Sequence, residues 1–117
     1  MDAKRSRIHK LARLLKKELS PAYNVSVRIV RRKIYQSSND ERYECSGISW
    51  LDLEQKKFHI HIAYDDCLGC MLDSLIHEWA HILDWSHLHD MKEEPEYHSA
   101  TFGVWYAKVY RIIHNTK

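Results

Sequence analysis

Apolar residues recur with a helical period along the N-terminal segment. Ile8, Leu11, Leu15 and Leu19 fall on one face, Ala12 and Leu14 widen it, and Lys4, Arg7, Lys10, Arg13, Lys16 and Lys17 supply the polar side. This spacing predicts a helix over residues 3–19, closed by Ser20-Pro21. The period then shortens to two. Val25, Val27 and Ile29 alternate with Ser26 and Arg28, which predicts a first strand. A polar loop is expected over 36–42 and a second strand over 43–51, around Cys45, Ile48 and Trp50. The clearest alternation is Phe58, Ile60 and Ile62 against His59, His61 and Ala63, which predicts a third strand. After a turn at Asp65-Asp66 and Gly69, a helix is expected from Cys70 or Met71 to Ser86. A loop over 88–97 and a last helix over 99–114 follow. The order of helix, strands, helix, helix points to an α+β fold, a three-stranded mainly antiparallel sheet packed against helices.

The chain has 117 residues, 44% of them hydrophobic and 29% charged, which suits one soluble domain over 1–117 with one core. No apolar run approaches the roughly 18–20 residues that span a bilayer, and the basic N-terminus lacks the apolar stretch of a secretory signal. A cytoplasmic setting and no membrane partner are therefore expected. The net charge of +2 hides an asymmetry. Residues 1–35 carry eleven Lys/Arg and two acids, a net of +9, and the remainder a net of −7. The basic end is either a solvated helix face or a contact surface for DNA or another polyanion. Cys45, Cys67 and Cys70 make an odd count, which argues against a disulfide framework. Cys67 and Cys70 form a lone C-x-x-C with no second pair, and reduced cysteines near a turn are the expectation.

The chemistry concentrates at His77-Glu78-Trp79-Ala80-His81, an H-E-x-x-H sequence inside the expected helix. Residues i and i+4 share a helix face, so both imidazoles can reach one metal ion, and the intervening glutamate can take a proton from a water on it. The pattern points to Zn2+ held by His77 and His81, with Glu78 as general base in peptide-bond hydrolysis. A catalytic zinc usually takes a third protein ligand. His98, just before the last helix, is favoured. His87 has the ten-residue spacing of a longer zinc pattern, but that pattern needs glycine where Asp84 stands, and a continuing helix would carry His87 past the metal. An acidic residue among Asp90, Glu93, Glu94 and Glu96, or another group such as His89, is the remaining alternative.

His77-Glu78-Trp79-Ala80-His81, followed by His98-Ser99-Ala100-Thr101-Phe102, resembles the SprT-like zinc metallopeptidases, in particular their compact phage and bacterial forms. The resemblance covers about residues 58–113. It implies a minimal zincin-like domain with His77, His81 and His98 as ligands and Glu78 as general base. It also implies a protein or peptide substrate and a role near DNA. Ser99 stands where the family pattern has glycine, and the 117 residues contain no second cysteine pair of the kind a zinc ribbon uses.

Other residues are weaker candidates. Asp73 and Asp84 lie on neighbouring turns and could orient the histidines. His59 and His61 share one strand face and could form a second metal pair, but solvent-facing or weakly packed side chains are the expectation. The third strand itself is expected to guide an extended substrate. The four tryptophans are expected in the core, and Tyr97 and Tyr106 are candidate oxyanion donors. Two rival readings remain. One is a DNA- or protein-binding domain with a structural zinc. The other is a regulatory protease that cuts a single partner.

Overall fold

Ile8, Leu11, Ala12 and Leu15 are buried along one face of helix α1 (Ala3–Glu18), as the periodicity requires. Asp2 caps the helix by accepting the Arg5 N–H at 2.9 Å, and Lys16 and Lys17 sit in its last turn, where positive charge suits the helix dipole. The computed structural model describes residues 2–31, 34–38, 41–88, 91 and 100–115. Five strands follow α1: β1 (Asn24–Val30), β2 (Ile34–Ser38), β3 (Glu41–Cys45), β4 (Gly47–Asp52) and β5 (Lys57–Ala63). Helices α2 (Leu68–Ser86) and α3 (Ala100–Asn115) complete the described fold.

The α+β class is as expected, but the sheet differs. It has three strands in the order β1-β5-β4, and it is mixed rather than mainly antiparallel. β5 pairs parallel with β1, from Asn24↔Lys57 to Val30↔Ala63, and antiparallel with β4, from Gly47↔Ile62 to Asp52↔Lys57. The polar segment read as a loop instead forms a separate antiparallel hairpin of β2 and β3, with Ile34 opposite Cys45 and Ser38 opposite Glu41. The single strand expected over 43–51 divides at Ser46, between β3 and β4.

Phe58, Ile60 and Ile62 point from β5 into one apolar cluster with Ile8, Leu11 and Leu15 of α1 and Met71, Leu75, Ile76 and Trp79 of α2. The helices thus lie against one face of the sheet. Burying each large side chain contributes about 1.5–3 kcal/mol, so this layer is what orients α2. Trp79 ties the helices together through its indole N–H, which donates to the Leu19 carbonyl at 3.2 Å. Val109 and Ile113 of α3 join the same cluster. The other sheet face carries Trp50, which is exposed rather than in the core. Its ring stacks on His59 at 5.0 Å and meets the edge of His61 at 4.8 Å. No helix among the described residues is long and apolar enough to cross a membrane.

Candidate metal centre

α2 begins two or three residues earlier than expected and runs unbroken to Ser86, so His77, Glu78 and His81 sit on its middle turns. The Nε2 atoms of His77 and His81 lie 3.0 Å apart. Two nitrogens of a tetrahedral zinc set, each about 2.0–2.1 Å from the ion, are about 3.3 Å apart, so this pair is already spaced to chelate. Phe102 of α3 packs over both imidazoles, with centroids 5.3 Å from His77 and 4.4 Å from His81. That packing restricts both rings.

Glu78 lies on the sheet side of α2 and is 7% exposed. Burial pushes its carboxyl up to about 7, against the opposing effect of a hydrogen bond from Ser49. The Ser49 hydroxyl donates to Oε1 at 2.7 Å from β4. Gly47 occupies the same strand. A Cβ there would stand 3.2 Å from Glu78 Cγ and 3.3 Å from Oε2, so glycine permits the close approach of strand to carboxylate. Neither Ser49 nor Gly47 stood out in the sequence, because nothing local links them to a helix that begins some twenty residues later.

β5 cannot be a substrate-guiding strand by backbone pairing, because β1 and β4 occupy both of its edges. The strand at the edge of this sheet beside Glu78 is β4. His59 and His61 flank Trp50 on the opposite face from α2. Burial, then the charges of Arg28 and His59, lower the pKa of His61.

His87 follows the last turn of α2 as its C-cap. Its Nδ1 lies 2.8 Å from the Leu83 carbonyl, to which it donates, and its ring packs on Trp105 at 4.5 Å. Among the described residues, no group of converging metal-ligand atoms joins His87 to the His77–His81 pair. His98, Tyr97 and the acids over 92–96 lie outside the described residues, as do His89 and Asp90. Asp84 is buried and accepts a 2.5 Å hydrogen bond from Thr101 at the start of α3. Asp73 is exposed. Tyr106 is half-buried beside Phe102, at 6.0 Å, and burial followed by the charge of Asp73 raises its phenol.

A second group lies at the start of α2. Ligand atoms of Asp65, Cys67 and Cys70 all fall within 4.8 Å of one another and could hold a metal ion. Cys67 is the N-cap, its sulfur accepting the Cys70 N–H at 3.4 Å. The hydrogen bond between the two thiols lowers Cys67 and raises Cys70. Counting cysteines alone hid this group, because its third member is an aspartate.

No family model, curated protein or solved structure matches the chain.

Proposed function

We propose that the protein is a zinc-dependent metallopeptidase with a minimal zincin-like site, in keeping with its resemblance to the SprT-like family. One observation carries the reading: two imidazoles stand at chelating distance on a helix whose intervening glutamate is buried against a strand. A zinc ion held by His77, His81 and His98 would polarise the scissile carbonyl and make a water acidic enough to lose a proton near neutral pH. Glu78 takes that proton. The water oxygen bonds to the carbonyl carbon, the C–N bond breaks, and the proton passes from Glu78 to the departing nitrogen. Ser49 holds Oε1, which restricts the carboxyl to one orientation. The outer edge of β4 is the surface on which an extended peptide would lie, paired by its backbone.

The test is hydrolysis of a denatured protein by the zinc-loaded chain. Glu78→Gln lowers the rate by about 10²–10⁴ and keeps the zinc. His98→Ala loses zinc affinity, and His87→Ala keeps it. Full activity in Glu78→Gln, or a larger zinc loss in His87→Ala, overturns the assignment.

A second reading, contact with DNA, has its own support. A groove between α1 and the sheet is lined by His9, Arg13, Lys16, Lys57, Asn24 and Ser26, with no acid among its described lining residues. Its cations suit a phosphate backbone. This reading places the protein's substrates near DNA without changing the chemistry proposed above.

A further inference from the structure

We infer that Asp65, Cys67 and Cys70 form a separate binding site for a soft or borderline divalent cation such as zinc, at the start of the helix that carries His77 and His81. The inference is independent of the peptidase reading. The chain builds the group locally. Asp65 Oδ1 accepts the Cys67 N–H at 2.7 Å, which folds the carboxylate back over the turn. The Cys70 N–H lies 3.1 Å from the Cys67 carbonyl and 3.4 Å from its sulfur, so the first turn of α2 brings both sulfurs to one side. Two sulfurs each about 2.3 Å from zinc stand about 3.8 Å apart in a tetrahedral set. The three ligand atoms are already within 4.8 Å, and a small contraction closes the set. Both cysteines are exposed, so side-chain rotation can supply it.

Charge favours occupancy. Two thiolates and a carboxylate bring three negative charges to a helix N-terminus, and Asp66 adds another beside them. A divalent ion leaves the three-ligand group at −1, a charge that the N-terminal N–H groups still favour. The hydrogen bond from Cys67, then burial and the charges of Cys67, Asp65 and Asp73, hold the Cys70 thiol up, and a bound cation would offset those charges. Two sulfurs select zinc or cadmium over magnesium and calcium. With three protein ligands on the surface, water fills the fourth position.

The test is a Co2+ titration of the reduced 117-residue chain, read by sulfur-to-cobalt charge-transfer absorption. The expected result is one sulfur-bound ion per chain, displaced by zinc. Cys67→Ser with Cys70→Ser abolishes the signal, with serine retaining the N-cap, and circular dichroism verifies the fold. Asp65→Asn, which can still accept the Cys67 N–H, weakens the affinity at least about tenfold, since even indirect supports of a metal matter that much. His77→Ala leaves the sulfur signal unchanged, which separates this site from the proposed catalytic one. Absence of the signal overturns the proposal. So does saturation at one ion per two chains, or an Asp65→Asn variant that binds as well as the parent.

Discussion

Glu78 is a carboxyl group placed where its charge is penalised, and the metal-free chain should register this as a dependence of stability on pH. Burial raises its pKa from 4.5 to about 7, so between those values the folded state holds a proton that the unfolded state has lost. Stability is therefore full below 4.5, falls as pH rises through about 7, and stays lower above it. The magnitude is about 3 kcal/mol at about 1.4 kcal/mol per unit. Urea unfolding of the metal-free chain at pH 5 and pH 8 should show this fall, and Glu78→Gln should flatten it. An equal slope in both proteins would remove Glu78 as its source. Gly47→Ala is the matching steric experiment. The added methyl presses on Glu78 Cγ and Oε2, and a stability loss of about 1–3 kcal/mol is expected in the same measurement. The placement of His77, Glu78 and His81 on one helix was legible because their spacing is a property of four consecutive peptide units. Ser49 and Gly47 were not, since Ser49 meets Glu78 across 29 residues of sequence, through a strand pairing that no local pattern encodes. Asp65 was visible only as a turn residue, and its convergence on two sulfurs follows from the hydrogen bond to the Cys67 N–H.

The three described helices were legible to within a few residues because each has an apolar stripe long enough to define a period. β5 was legible for the same reason at period two. The β2–β3 hairpin was not, because a polar segment can pair by its backbone without any alternation to announce it. Nor did alternation disclose that β1 and β5 run parallel, since the period of a strand carries no direction. The contact between α2 and α3 is where an element-level experiment has most to say. Thr101 donates to the buried Asp84, so this bond fixes the start of α3, one residue before the Phe102 ring that covers both imidazoles. Thr101→Val removes the donor while keeping the shape. The expected loss is about 1–2 kcal/mol of stability, measured by denaturant unfolding, with Thr101→Ser close to the parent. Equal stability of the valine and threonine proteins would show that apolar packing alone seats α3.

Across the whole molecule, the positive charge of residues 1–35 is given a shape by the fold. His9, Arg13 and Lys16 rise from α1 beside Lys57 at the start of β5, two segments far apart in sequence. If the groove holds a phosphate backbone, affinity for duplex DNA falls steeply with salt. Arg13→Glu with Lys16→Glu should then weaken binding and reduce the salt slope by about 2, close to one for each phosphate that is no longer neutralised. Fluorescence anisotropy at several salt concentrations reads both quantities. An unchanged slope would place any DNA-binding surface elsewhere.

The parallel pairing of β1 with β5 also sets a schedule for folding. A parallel partner cannot be reached by a tight turn, so β1 waits while β2, β3 and β4 are made before Lys57–Ala63 arrives to hydrogen-bond with it. The antiparallel neighbour β4, in contrast, meets β5 across the short turn at Leu53–Lys56. Pairings of such unequal reach close at unequal rates, the β4–β5 hairpin early and β1 late. During synthesis, Val25, Val27 and Ile29 remain an unmatched apolar edge until the central strand has left the ribosome, and α1 is the earlier element that can shelter them.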